Sequence, residues 1–338
     1  MKLWKKAGAL VLALALTLAL ASCGQQETQT QETEETPAAH YNVAALKGPT
    51  AMGLVKLMHD AESGAELTND YTFTLAASAD EVSPKLMQGE LDIACVPANL
   101  AAVLYQKTGG EIVTLGINTL GVLYIVENGN AVTSMADLAG KTIVASGKGS
   151  TPEYALRYLL RENGVDPDGG VVIDWKSEHS ECVSALATGA ATIAMLPQPF
   201  VTVAQSKLQD LRVALDLTQE WDALDNGSAL LTGVVVARKD VVEENAIDAF
   251  LADYAQSVEW VNANTADAAA LIGDYGIVDA AVAEKALPAC NIVCITGAEM
   301  KEKLSGYLQV LFEEDPSSVG AQAGDDAGLP GDDFYYGA

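Results

Sequence analysis

Residues 142–156, Thr-Ile-Val-Ala-Ser-Gly-Lys-Gly-Ser-Thr-Pro-Glu-Tyr-Ala-Leu, gather the chain's most suggestive chemistry. A β-branched run passes through Ser146 and two glycines, then enters a helix at Ser150/Thr151, with Pro152 and Glu153 in the first turn. A hydroxyl before Pro and an acid one turn in mark a helix N-terminus. Such a loop aims backbone N–H groups and the positive helix end at one place, suited to a ligand's acceptor atoms. It is not a P-loop, because Gly-x4-Gly-Lys-Ser/Thr is absent. Ser177-Glu178-His179-Ser180-Glu181 is the second cluster. It crowds His, Ser and carboxylates together, yet sequence neighbours rarely form a triad and no Gly-x-Ser-x-Gly elbow occurs. His179 therefore reads as a residue beside a helix start, with ligand contact as its functional alternative. His40 and His59 lie far off in sequence, which disfavours a multi-histidine metal site. Cys290-x3-Cys294 reads as extended and too far apart for a bridge, and Cys95 and Cys182 read as buried small residues. No cofactor, metal or catalytic residue is expected.

The elements that position these groups recur. A strand at 41–46 is followed by Lys47-Gly48-Pro49-Thr50 and a helix over about 52–61. A strand at 71–75, a helix at 81–88 closed by Gly89, and an apolar strand at 92–96 stopping at Pro97 follow, and Pro97-Ala98-Asn99 opens the next helix. One hundred residues later the order repeats: strand 143–145, loop 146–151, helix 154–160, strand 171–175, helix 181–188 closed by Gly189, and strand 192–196 ending at Pro197. Glu81/Glu181, Gly89/Gly189, Ile93/Ile193, Ala94/Ala194 and Pro97/Pro197 are identical at this offset. Each half is a βαβαβ unit with a ligand crevice at the carboxyl ends of its strands. Gly48-Pro49-Thr50 and Pro97-Ala98-Asn99 would line one edge, Gly149-Ser150-Thr151 and Pro197-Gln198-Pro199 the other. Residues 121–126 read as the first crossing between lobes and 230–238 as the return. Residues 211–217 read as a strand, 221–228 as a polar loop, and 246–313 as helical apart from a short extended run. Residues 320–338 read as a tail on the surface.

The N-terminus bears on compartment. Lys2, Lys5 and Lys6 precede an apolar run over 7–20, short for a spanning helix and suited to an export signal. It ends Leu20-Ala21-Ser22-Cys23, which resembles a bacterial lipobox, implying lipidation (diacylglycerol, palmitate) of Cys23. Residues 23–39, rich in Gln, Glu and Thr, read as a disordered stalk. The chain carries 19 basic and 46 acidic residues, net −27, and loses three lysines with the signal. Such a surface disfavours nucleic acid and anionic lipid. The domain expectation is 1–22 signal peptide, 23–39 stalk, 40–127 plus 231–338 first lobe, and 128–230 second lobe.

Together these features resemble an ABC-transporter solute-binding protein of the type II periplasmic-binding fold: α/β, two Rossmann-like lobes, a cleft between them and two crossover strands. Gly89-Glu90-Leu91-Asp92-Ile93-Ala94 is similar to the G-x-x-D-I-A strand of the nitrate/sulfonate/taurine and thiamine-precursor branch. Ala136-Asp137-Leu138-Ala139-Gly140-Lys141-Thr142-Ile143 is similar to the stretch that opens the second lobe there. A Cys-rich run is missing, which makes a thiamine precursor less favoured. The resemblance implies hinge closure on a small sulfonate-, taurine- or vitamin-precursor-like solute and delivery to permease subunits. It implies a monomer outside the cell membrane, held by its lipid anchor only, with no nucleic-acid partner. It places the cleft on Gly48, Pro49, Thr50, Pro97, Asn99, Ser146, Gly149, Ser150, Thr151, Glu178, His179, Gln198 and Pro199. A small anion held by helix N-termini and a neutral heterocycle stacked on Tyr154 or Phe200 both fit, and the acidic balance leans to the neutral or zwitterionic one. A sensor lobe uncoupled from transport is the alternative, less favoured because no signalling domain follows; an enzyme on the same fold is less favoured still.

Overall fold

A computed structural model describes residues 38–244, 247–321 and 328–338. The expected signal peptide, Cys23 and the stalk through residue 37 lie outside the described residues. Ala38–Ala338 form one compact unit.

Two sheets organise that unit. In the first, β1 (His40–Leu46) pairs in parallel with β2 (Asp70–Ala76) and β3 (Ile93–Pro97). The antiparallel β10 (Leu231–Arg238) joins β3 to β4 (Ile112–Leu120), and the short β11 (Ile292–Ile295) closes the far side. The second sheet repeats the plan: β6 (Thr142–Ser146) lies between β7 (Val172–Lys176) and β8 (Ile193–Pro197), followed by antiparallel β5 (Leu123–Glu127) and then β9 (Arg212–Asp216). These are two α/β lobes joined by crossing segments, the type II periplasmic-binding architecture. Helices α1 (Pro49–Met52), α2 (Val55–Ser63), α3 (Ala79–Gln88) and α4 (Ala98–Thr108) follow the strands of the first lobe. In the second, α5 (Thr151–Glu162), α6 (His179–Ala187) and α7 (Phe200–Lys207) do so, and α8 (Leu217–Asp222), α9 (Lys239–Glu244), α10 (Ile247–Ala263), α11 (Thr265–Asp274), α12 (Ala280–Ala286) and α13 (Gly297–Glu314) follow in order. The repeated Glu81/Glu181 and Gly89/Gly189 have repeated jobs. Each Glu accepts the backbone N–H groups one and two residues before its helix, and each Gly holds a left-handed φ, 79° and 73°.

Four expectations change. The strand read as a crossing at 121–126 hydrogen-bonds to β8 and β9 from Leu123 on, so the chain leaves the first sheet at Gly121-Val122 and Leu123–Glu127 belongs with the second. A side chain at Gly121 would collide with Thr218 and Leu230, which is why the backbone crosses there as glycine. The helix expected over 52–61 breaks at Gly53, because Ser257 of α10 (Ile247–Ala263) donates to Gly53 O at 2.6 Å and accepts from Leu57 N at 3.1 Å. Residues 217–222 form helix α8 (Leu217–Asp222) rather than strand and loop, anchored by the wholly buried Trp221, whose Nε1 donates to Ser228 Oγ. Its two buried apolar residues, Leu217 and Trp221, span barely one turn, too short a stripe to read as a helix.

The terminal segment is the fourth. Phe334 is fully buried, Tyr335 nearly so, and Tyr336 N donates to Thr114 O at 3.0 Å, so residues 334–336 cover the edge of β4. Tyr105 Oη donates to Asp333 at 2.8 Å, and Lys301 pairs with Asp332. The end of the chain belongs to the core. Phe334→Ala is expected to cost about 3–5 kcal/mol, read as a lowered urea midpoint with unchanged m-value.

Candidate functional site

The carboxyl edges of β1, β3, β6 and β8 carry the expected loops, and most of their polar groups are engaged. Gly48 holds a positive φ of 136° before α1, and the buried Thr50 donates its hydroxyl back to Leu46 O at 3.0 Å. Asn118 of β4, also buried, donates to Thr50 O. Gly233 lies against both, so closely that a Cβ there would stand 2.5 Å from Asn118 Oδ1 and from Thr50 Cγ2. Asn118, Thr119 and Gly233 were not foreseen, because they lie in apolar-reading strands with no motif around them.

In the second lobe, Ser150 is the N-cap of α5 as expected, with Pro152 in its first turn. The loop's donors are less free than the sequence suggests. Gly149 N–H donates to Glu153 Oε2 at 2.6 Å, and Ser150 Oγ donates to Gly147 O at 2.9 Å. Glu178 is the N-cap of α6 and accepts from Ser180 Oγ at 3.0 Å. Ser146 Oγ and His179 Nδ1 share a hydrogen bond, and the imidazole packs on Phe200 with centroids 4.9 Å apart. Gln198 Oε1 accepts from Thr202 Oγ1 at 2.9 Å, which leaves the amide nitrogen as its donor; the Gln198–Pro199 peptide is cis.

The structure brings together Asn99 and Thr151, one from each lobe. Thr151 Oγ1 donates to Asn99 Oδ1 at 3.4 Å, and Asn99 Nδ2 donates to Ser318 O at 3.0 Å. All three are within 3 % of full burial, so the contact forms part of a packed seam. The seam continues along α5, where Tyr158 packs on Trp221 and Trp221 on Tyr307 of α13 (Gly297–Glu314). Arg161 pairs with Glu314 at its far end. Gly48, Pro49 and Thr50 and, in the second lobe, Ser146, Glu178, His179 and Gln198 are bonded only within their own lobes among the described residues.

Burial dominates the site's electrostatics. It lowers His179 from 6.5 to about 4, so the imidazole is neutral at ordinary pH. Burial likewise pushes the thiols of Cys95 and Cys290 up to about 12 and of Cys294 up to about 11, keeping them protonated. All four described cysteines are free. Asn291 has a positive φ of 47°, so the extended run starts only at Ile292. Among the described residues, no group of three or more His, Cys, Asp or Glu is placed to hold a metal. Two surface cavities, of about 380 and 450 Å³, lie elsewhere, against Ser228 and Glu302 and against Gly89 and Arg238.

Residues 64–286 match the protein family described as "ABC transporter, phosphonate, periplasmic substrate-binding protein". No match was found among curated proteins. Among solved structures, an ABC transporter protein from Parabacteroides distasonis is 22 % identical with a TM-score of 0.71, over 86 % of this chain and 99 % of that one. The periplasmic aliphatic sulphonate binding protein SsuA from Escherichia coli is 18 % identical with a TM-score of 0.68, over 84 % and 94 %. The periplasmic nitrate-binding protein NrtA from Synechocystis PCC 6803 is 13 % identical with a TM-score of 0.53, over 70 % and 66 %.

The depressed His179 value has a measurable consequence. The unfolded chain takes up a proton near 6.5 that the folded chain refuses until about 4, so His179 lowers stability as pH falls through that window. A His179→Asn variant should lose that component, and urea midpoints of the two proteins measured from pH 7 to pH 4 should show a shallower decline for the variant.

Proposed function

Because this chain belongs to the ABC-transporter phosphonate periplasmic substrate-binding family, we propose that it closes its two lobes on one small organic solute and delivers that solute to permease subunits. It is an extracytoplasmic solute-binding protein and not an enzyme. The observation that carries the reading is the duplicated strand order, which gives each lobe an equivalent carboxyl edge, β1 and β3 in one and β6 and β8 in the other; these edges are proposed as the two sides of one cleft.

Within that cleft, the groups with a free donor or ring edge are proposed as solute contacts. With Nδ1 engaged by Ser146, His179 offers Nε2. With its oxygen taken by Thr202, Gln198 offers its amide N–H. Thr50, Pro97, Pro199 and the Gly48 and Gly149–Ser150 loops complete the proposed walls. Asn99 and Thr151, already joined, are proposed as the point where the jaws meet. The lobes are proposed as residues 38–121 with 231–338, and 122–230. Cys23 is proposed as the lipid anchor at the outer face of the membrane, with a monomeric folded part.

Small alkylphosphonates, sulfonates, nitrate, nucleobases and vitamin precursors are the panel to test. A compound that binds the folded state should raise the thermal midpoint by mass action. Gln198→Ala should weaken calorimetric affinity for that compound by about tenfold, roughly one lost hydrogen bond to a polar group, while circular dichroism shows the free protein still folded. A panel with no stabilising compound argues for a role outside solute capture.

A further inference from the structure

The family description and the neighbours name phosphonates, sulphonates and nitrate, all anions. At α3, α5 and α6 the chain's own carboxylates occupy backbone donors that could hold an anion, whereas α1, α4 and α7 carry no acid in their first turn. Glu153 Oε2 takes the Gly149 N–H at 2.6 Å, in the loop best shaped to cradle an anion. Glu181 Oε2 takes the N–H groups of Ser177 and Glu178 at 2.8 and 3.3 Å, before α6. Glu81 takes those of Ala77 and Ser78, both at 3.2 Å, before α3. A second negative charge beside Glu153 would meet the carboxylate's repulsion, reduced by the solvent that reaches this loop.

The cations do not offset this. Arg157 pairs with Asp168, Arg161 with Glu314, Arg212 with Glu127, and Arg238 with Asp92 and Asp240. Asp92 and Glu127 lie at the strand ends opposite the cleft, since Asp92 precedes β3 and Glu127 pairs with the first residue of β8. Lys47 and Lys148 flank the two glycine loops but are exposed, where water and salt screen a point charge. His179 is neutral and packed on Phe200, a surface that suits a flat uncharged ring.

We propose that the cleft selects a solute without net negative charge, a neutral polar ring or a zwitterion, and that Glu153 excludes simple anions by filling the Gly149 loop. This rests on the solute-binding reading above. The test is calorimetry on the purified protein with methylphosphonate, ethanesulfonate and nitrate on one side and taurine, cytosine and nicotinamide on the other. The wild type should give no binding heat with the three anions and measurable binding with at least one compound of the second group. Glu153→Ala removes charge and opens the N–H donors, whereas Glu153→Gln removes the charge alone. Affinity for methylphosphonate should therefore rise by about tenfold or more in Glu153→Ala and less in Glu153→Gln, with circular dichroism confirming that both fold. Micromolar binding of any of the three anions to the wild type overturns the charge assignment while leaving solute capture intact. An unchanged methylphosphonate affinity in a folded Glu153→Ala does the same. Silence of every compound on every variant overturns the solute-binding reading, and this proposal with it.

Discussion

A helix that begins at the carboxyl end of a parallel strand points unsatisfied N–H groups into the space where a ligand would sit. How those groups are satisfied sets much of this molecule's character. Glu81, Glu153, Glu181 and Asp216 each lie within a turn of such a start and accept from backbone nitrogen there. The arrangement fixes where α3, α5, α6 and α8 begin, and hence where the loops before them stand. It also explains how a chain of net −27 places part of its negative charge favourably: a carboxylate at a helix N-terminus meets the positive end of the helix. The structure and the proposed selectivity of the cleft therefore share one interaction.

The lobes meet along a seam that is mostly apolar. Leu156, Leu159, Trp221, Leu230, Tyr307 and Leu311 belong to one buried cluster that draws on both lobes and on α13. At its cleft end stand the Asn99–Thr151 and Asn99–Ser318 hydrogen bonds, and at its other end the Arg161–Glu314 pair. Opening the proposed cleft would mean sliding or parting a packed surface with polar contacts at both ends, which favours two discrete arrangements over a continuum. The crossing at Gly121 is where such motion would concentrate. Gly121 O accepts from Asn291 Nδ2, Leu120 N donates to Asn291 O, and Gln198 N donates to Val122 O. One residue of the proposed site, Gln198, is therefore bonded directly to the crossing strand.

Much of this was legible in the residues. The duplicated strand–helix order, the helix start at Ser150, the Pro-terminated strands and the glycine closures all follow local rules of period and capping, and the structure has them. What escaped depended on distant partners. The break at Gly53 comes from Ser257, two hundred residues away. Phe334 looked like tail until β4 supplied an edge for it. The sequence matched the Thr151 loop with Gly48-Pro49-Thr50, whereas the hydrogen bond of Thr151 is to Asn99, and the burial of both beside Ser318 required knowing where the segment after α13 lies. The Gly149 loop was read as an open cradle because nothing in Gly-Lys-Gly-Ser-Thr-Pro-Glu says that the glutamate folds back into it.

That last difference bears on how family likeness and local chemistry combine. A shared strand order accounts for placing the proposed solute site at the carboxyl strand ends of the two lobes. It does not fix the sign of the charge accepted there, which depends on a few side chains at helix starts. In a relative whose corresponding position lacked a carboxylate, the same N–H groups would be free for an anion; here a glutamate four residues on occupies one of them. The arginines cannot reverse the balance, because each is paired with a carboxylate, in the strand pairs at the edge away from the cleft and along α5 to its far end. Likeness in fold and difference in ligand charge are thus compatible, and the boundary between them runs through the first turn of α5.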